Sequence, residues 1–292
     1  MTHRSGFVNI LGNPNVGKST IMNALVGEKL SIITPKVQTT RHRIMGIVNG
    51  EDYQIVYSDT PGILNPKYKL QETMMGFVNT ALVDADLILY VTDIQDKSEE
   101  ESGYLRKIID SKTLVIVAIN KIDLSNQEEL EKTVEKWHKI FPDSDIIPLS
   151  ALRNFNLDIL FRSVLEKLPE GEPYFPKDQL TDKFERFFAS EIIREKILLN
   201  YQKEIPYSVE IEIESFKDEG HIINIRALIH VARDSQKGII IGHKGQMLKK
   251  TGTEARKDME DFFGKKVFLE LYVKVSKEWR EKPQMLKKFG YQ

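Results

Sequence analysis

Over the first 155 residues, short β-branched runs alternate with longer polar stretches of helix-compatible composition, a pattern that predicts a largely parallel sheet covered by helices. The predicted strands are Phe7–Leu11, Tyr53–Ser58, Leu87–Val91, Leu114–Ala118 and Ile146–Pro148, with Ile44–Val48 as an antiparallel edge beside the second. Residues 125–140, "SNQEELEKTVEKWHKI", read as a solvated amphipathic helix. Three prolines between residues 167 and 184 then break the helical pattern and mark a connection between domains. Beyond it, residues 184–202 have the spacing of an amphipathic helix, and "YSVEIEIESF" and "HIINIRALIHV" alternate as strands around a hairpin turn at Asp218-Glu219-Gly220. The pattern therefore gives an α/β domain over 1–170, a linker over 171–182 and an α+β domain over 183–292 that ends in a basic helix around Pro283.

Composition agrees with two globular domains: 292 residues with 41% hydrophobic content are enough for two cores, and no repeat or biased segment stands out. The apolar runs are too short to span a bilayer, the N-terminus lacks the order of a signal peptide, and a cytoplasmic protein is the simplest reading. The absence of cysteine excludes disulfides and thiolate metal sites, and the six histidines show no zinc- or iron-ligand spacing. A formal net charge of −1 hides an asymmetry: over residues 231–292 Lys and Arg outnumber Asp and Glu nearly two to one, which suits a polyanionic partner without requiring one.

The chemistry lies just past the predicted strand ends, where open α/β sheets place ligands. Gly12, Asn13, Pro14, Asn15, Val16, Gly17, Lys18 and Ser19 match the phosphate-loop pattern between a strand and a helix, with Thr20 next in line. Their backbone N–H groups would wrap phosphates, Lys18 would reach the β- and γ-phosphates, and Ser19 would ligate Mg²⁺. In Asp59-Thr60-Pro61-Gly62, the carboxylate is placed to hold Mg²⁺ through water and the Gly62 N–H to sense the γ-phosphate. In Asn120-Lys121-Ile122-Asp123, Asp123 would accept both guanine donors, N1–H and N2–H₂, which adenine lacks. Asn120 would brace the phosphate loop and the Lys121 stem would cover the base. Ser150, Ala151 and Leu152 follow the last strand, where the Ala151 N–H would meet guanine O6. Of Thr39 and Thr40, we take Thr40 to close the Mg²⁺ shell when a γ-phosphate is present. Arg41 and Arg43 read equally as an internal clamp or a solvated basic patch, and Gln71 is assigned no catalytic role.

In the second domain Gly242-His243-Lys244-Gly245 matches the GXXG loop of a KH domain, and the order helix, strand, strand, helix, GXXG, helix, strand resembles the type II KH arrangement. Two glycines let the loop approach four nucleotides of single-stranded backbone, and Lys244, Lys249 and Lys250 add positive charge. Ile240, Ile241 and Met247 are candidates for an apolar groove floor, with core packing as the competing use of some of them. Trp279 has three open roles: packing in the core, stacking a base or approaching a membrane.

These motifs, with "QTTRHRIMGI" at 38–47, resemble the translation-factor class of small GTPases, and the whole chain resembles the Era family of ribosome-assembly GTPases. The resemblance implies GTP/GDP and Mg²⁺ as ligands, GTP hydrolysis, binding of the 3′ end of 16S rRNA, a role in 30S subunit assembly, a monomeric state and peripheral contact with the cytoplasmic face of the inner membrane. One departure concerns catalysis: Ile63 stands where Ras-like enzymes have a water-orienting glutamine. Slow hydrolysis is expected, with K⁺ held partly by Asn15 as the compensation related GTPases use. Lys18, Thr40, Gly62 and Asn15 are thus the candidate catalytic residues. The alternative reading is a membrane-associated signalling GTPase whose KH-like domain binds protein.

Overall fold

The six β-branched runs of the first domain become β1 (Arg4–Leu11), β2 (Ile44–Asn49), β3 (Tyr53–Asp59), β4 (Leu87–Asp93), β5 (Leu114–Asn120) and β6 (Asp145–Pro148) in a computed structural model that describes residues 2–95 and 103–291. They form one sheet in the order β2-β3-β1-β4-β5-β6, in which only the β2–β3 pair is antiparallel. Helices α1 (Lys18–Val26), α2 (Lys69–Val83), α3 (Gly103–Asp110), α4 (Gln127–Ile140) and α5 (Leu157–Lys167) alternate with the strands, as parallel pairing requires of its crossovers. Burial on both faces explains why the central strands read as unbroken apolar runs: every residue of β4 is buried. β3, β4 and β5 run one or two residues past the apolar pattern and end on Asp59, Asp93 and Asn120, which still pair in the ladder. The solvated helix predicted over 125–140 is α4, capped by the Asn126 side chain and anchored by Trp137, which is fully buried 5.1 Å from the Tyr90 ring.

By its contacts the chain divides into residues 1–66 with 74–182 and residues 67–73 with 183–292. The stretch 171–182, expected as an interdomain linker, belongs by its contacts to the first unit. The Gln54 side chain accepts from the N–H groups of Tyr174 and Phe175 and donates to the Phe175 carbonyl. Next to it, Ile47 N–H donates to the Leu180 carbonyl, the Thr181 hydroxyl donates to the Met45 carbonyl, and Met45 N–H donates to the Asp182 carboxylate. The prolines exclude a helix, but the remaining polar groups are what the open edge of β2 needs. Arg41 and Arg43 are both buried, which resolves their reading toward the interior. The Arg43 guanidinium donates to Asp84, Ser58 and Asn9 and so ties the start of β2 to β1, β3 and the end of α2.

The second unit has α6 (Glu185–Asn200), β7 (Glu210–Asp218), β8 (Ile222–Val231), α7 (Asp234–Ile241), α8 (Gln246–Phe263) and β9 (Lys266–Val275), in the predicted order. β7 is antiparallel and β9 parallel to β8, so α7 and α8 serve as the crossover and the GXXG turn falls between them. Alternate strand residues, among them Ile223, Ile225, Ala227 and Val267, pack with Ile193, Ile197, Ala255 and Met259 in one core. The basic C-terminal helix is short, α9 (Pro283–Lys288). Trp279 before it is core: it is fully buried and its Nε1–H donates to the Ser208 carbonyl over 3.0 Å.

The two tryptophans thus lie one in each unit, which makes the unfolding of each separable. Trp279→Ala removes a fully buried indole, so we predict a loss of about 3–5 kcal/mol in the second unit. Urea unfolding followed by far-UV circular dichroism should register that loss, while the remaining Trp137 fluorescence transition keeps its midpoint.

Candidate functional site

The loop Gly12–Gly17 leaves β1 and enters α1 through three residues of positive φ, Gly12 at 147°, Asn15 at 65° and Gly17 at 99°. A Cβ on Gly17 would lie 2.1 Å from Asn120 Nδ2, so glycine is required both by the backbone and by its neighbour. Asn120, the last residue of β5, fills that space: its Nδ2–H donates to the Val16 carbonyl (2.9 Å) and its Oδ1 accepts from Ala151 N–H (3.0 Å). One side chain therefore ties together the loops after β1, β5 and β6. Lys18 is buried and folds back to donate to the carbonyls of Gly12 and Asn13 at 3.0 and 2.8 Å. A cavity of about 470 Å³ opens in front, lined among others by Lys18, Ser19, Thr20, Thr40, Gly62 and Lys121.

Three oxygens converge at its inner wall. Ser19 Oγ is 2.6 Å from Asp59 Oδ2 and 2.9 Å from Thr40 Oγ1, and Thr40 Oγ1 is 3.3 Å from the same carboxylate oxygen. Asp59 is fully buried, and burial raises its carboxyl pKa against the opposing pull of the Ser19 hydrogen bond and the Lys18 charge. Its Oδ1 has no hydrogen-bond partner among the described residues. A buried carboxylate with an orphan oxygen beside two hydroxyls is a hard oxygen donor set that fits Mg²⁺. Thr39 is committed elsewhere, to Thr34 Oγ1 and the Lys36 carbonyl. In Asp59-Thr60-Pro61-Gly62, the Thr60 hydroxyl is buried and donates to the Ile10 carbonyl, so this side chain fixes the end of β1 and does not face the cavity. Val16 and Pro61 are likewise buried and contribute backbone. Gly62 packs against Pro14, and Ile63 N–H donates to the Gly12 carbonyl, which laces this turn to the phosphate loop.

On the base side, the Ser150 hydroxyl donates to Asp123 Oδ1 over 2.5 Å and orients that carboxylate. Lys121, at φ 61°, donates to the Asn15 carbonyl and pairs with Asp93 at 2.6 Å. Asp93 escaped the sequence reading; its only signal was a carboxylate ending a buried strand, as Asp59 does. The expectation for Ala151 is corrected: its N–H is taken by Asn120 Oδ1. Leu152, beside it, is largely exposed. Gln71 is buried, not a surface residue, and accepts from the Lys67 N–H near the start of α2.

In the second unit Gly242 and Gly245 both have positive φ, and between them His243 and Lys244 are exposed. A groove of about 380 Å³ beside this turn is lined by Gly245, Leu248, Lys249, Gly252, Thr253 and Arg256 of the turn and α8 and by Leu269 and Leu271 of β9. The expected floor is therefore corrected. Ile240 is fully buried in the core and its carbonyl accepts from the Tyr201 hydroxyl, while Ile241 is half-buried and Met247 packs against the core and Gly242. The floor residues Leu248, Gly252, Leu269 and Leu271 were signalled only by the four-residue spacing of 248, 252 and 256 and by alternation along β9. Lys249 lines the groove, whereas Lys250 pairs with Glu254.

Comparison with known proteins matches residues 7–121 to the 50S ribosome-binding GTPase family model and residues 204–280 to the KH domain model. The chain is 46% identical to GTPase Era of Geotalea daltonii over 99% of this chain and 98% of that one, and 45% identical to GTPase Era of Syntrophus aciditrophicus over 99% and 95%. Among solved structures, Era in complex with MgGDPNP and nucleotides 1506–1542 of 16S ribosomal RNA superposes with a TM-score of 0.94 at 41% identity, covering 99% of both chains. A variant of Aquifex aeolicus Era bound to GDP·AlF₄⁻ gives the same values.

The buried Asp59 generates a prediction. Its folded pKa is raised, so its contribution to stability is complete below the unfolded pKa and is lost as pH rises through the folded one. Asp59→Asn should therefore raise the melting temperature of the nucleotide-free protein in EDTA at neutral pH, with the gain shrinking as pH falls into the ordinary carboxylate range. The same substitution should remove the extra stabilisation that MgCl₂ gives in the presence of GDP. Thermal scans across pH, with and without MgCl₂ and GDP, measure both effects.

Proposed function

The chain belongs to the Era family of GTPases, and we propose that it is a GTP-hydrolysing switch that binds the single-stranded 3′ end of 16S rRNA and assists assembly of the 30S subunit. The observation that carries hydrolysis is the convergence of Ser19, Thr40 and Asp59 beside the phosphate loop. The RNA half is supported by the GXXG turn and its groove, and by the Era structure, 41% identical to this chain, that holds MgGDPNP with 16S rRNA nucleotides. The same reading makes the chain a cytoplasmic monomer whose contact with the inner membrane is peripheral; among the described residues no helix is long and apolar enough to cross one.

In this reading the loop N–H groups receive the phosphates, and Lys18 exchanges its two carbonyl acceptors for β- and γ-phosphate oxygens. Ser19 and Thr40, with Asp59 behind them, would hold Mg²⁺, which would supply charge neutralisation to the phosphates. The Gly62 N–H meets the γ-phosphate, and Asp123, oriented by Ser150, accepts from guanine N1–H and N2–H₂. Water attacks the γ-phosphorus, the bond to the β–γ bridging oxygen breaks, and GDP and phosphate leave. Ile63 has no polar side-chain atom with which to orient that water, and its N–H is bonded to Gly12. Turnover is therefore slow; Asn15, whose side chain donates to the Pro35 carbonyl, would hold K⁺ in part, and that ion would supply positive charge toward the transition state. Ordering of Thr40 by the γ-phosphate couples the nucleotide to RNA affinity.

Two measurements check this reading. Affinity for the 3′-terminal 16S strand, at fixed salt, should be higher with a non-hydrolysable GTP analogue than with GDP, and Lys244→Glu should lower it in both states and flatten its salt dependence. Stimulation by lipid or protein without RNA binding would instead indicate the signalling alternative. Hydrolysis should run about tenfold or more faster in KCl than in NaCl, with the difference lost in Asn15→Ala; equal rates in the two salts would remove K⁺ from the mechanism.

A further inference from the structure

The face of the β7-β8-β9 sheet turned away from α6 and α8 has two halves. Alternation along the parallel pair places Asn224 beside Phe268, Arg226 beside Glu270, Leu228 beside Tyr272 and His230 beside Lys274 on that face. At the His230 end the chain covers itself. The Phe289 ring lies 4.9 Å from the His230 ring, Ser276 Oγ hydrogen-bonds to His230, Lys288 pairs with Glu212, and the Tyr291 hydroxyl donates to Glu210. The other half stays open among the described residues, with Phe268 53% and Tyr272 48% exposed. These two rings stand four residues apart on one edge strand, about 13 Å at the usual strand rise. Between them on β8 sits Arg226, whose guanidinium is 5.7 Å from the Tyr272 ring centre and 3.1 Å from Glu270.

What would cover such a face follows from its position. β9 is the strand whose opposite side chains, Leu269 and Leu271, line the groove beside the GXXG turn. Successive residues of a strand point to opposite faces, so a chain leaving the groove across the β9 edge next meets Phe268 and Tyr272. Exposed aromatic rings on a sheet, with a guanidinium plane between them, form the kind of platform on which unpaired bases stack. Arg226 is balanced by Glu270 and more distantly by Glu214 at 4.0 Å, so its guanidinium adds a stacking plane, while the exposed Lys266 and Lys274 flank the two rings on the same side of β9.

We propose that Phe268 and Tyr272, with Arg226, form a second binding surface that stacks the bases of the same RNA strand held in the GXXG groove, after it has crossed the edge of β9. This rests on the RNA-binding reading given above. The test compares two unstructured RNAs on the full chain, one of about four nucleotides, the length a GXXG loop clamps, and one about three times as long, extended at either end in turn. Phe268→Leu and Tyr272→Leu keep apolar bulk at exposed positions; the first removes only the ring, and the second removes the ring with the hydroxyl that donates to Glu270 over 3.4 Å. Each is expected to weaken the long RNA about tenfold, to leave the short RNA unchanged and to leave the salt dependence of the long RNA unaltered. Lys244→Glu should weaken both lengths. If the long RNA binds parent and ring variants equally while Lys244→Glu still weakens both lengths, the stacking surface is overturned, the groove reading survives and a protein becomes the occupant of the aromatic face. Equal losses on both lengths overturn it as well, because the substitutions would then be disturbing the groove. Failure of the parent to bind either RNA overturns the RNA reading itself and this proposal with it.

Discussion

The nucleotide-binding unit depends on one side chain, Asn120, seated in the space that Gly17 leaves by having no Cβ. From the end of β5 it donates to the Val16 carbonyl and accepts from Ala151 N–H, so the loops that would hold phosphates and base share a single pair of buried hydrogen bonds. The geometry is possible because parallel strands bring all their C-terminal ends to one side of the sheet. Buried amide bonds of this kind are costly to leave unmade, and the loop pays for its left-handed turns through them. Lys121 and Asp93 extend the same arrangement outward, since the Lys121 ammonium joins the Asn15 carbonyl to the end of β4.

A second constraint acts at the inner wall. Asp59 is placed by the last ladder pair of β3 in a site where water cannot solvate it, and the neighbouring Ser19, Ser31 and Thr40 hydroxyls with the Lys18 charge only partly offset that loss. The site is thereby tuned for a positive ion before one arrives. Thr40 reaches it at the end of a segment whose continuation, through Arg43 and β2, is anchored to β1, β3, the end of α2 and residues 179–182. A displacement at Thr40 would thus be carried by a hydrogen-bonded strand and not by a free loop.

The second unit uses glycine differently. Gly242 and Gly245 give a turn with positive φ, and Gly252 within α8 lets Leu271 of β9 come close, since a Cβ there would lie 3.1 Å from its Cδ1. The turn therefore opens α8, and the groove lies where that helix packs against β9. Two charges on α6 belong to the fold: Glu191 and Arg194 are buried and paired to each other, where an isolated charge would be costly.

Much of this was written locally. The β-branched runs gave all six strands of the first sheet, and the spacing of Gly12–Ser19, Asp59–Gly62 and Asn120–Asp123 gave the nucleotide chemistry, because phosphate, cation and guanine contacts come from short contiguous segments at strand ends. The GXXG turn was legible for the same reason. What the sequence left undecided depended on residues brought together from far apart: Arg43 as an interior clamp with Asp84, Asp93 as the partner of Lys121, residues 171–182 as the covering of β2, and Asn120 as the acceptor for Ala151 N–H. The groove floor shows the limit most directly. Ile240 and Leu248 are both apolar and close to the same turn, and only the packing of α7 and α8 against the sheet determines that the first is core and the second faces the groove. Local composition sets which residues avoid water, but the face on which each does so is fixed by the elements that close over it.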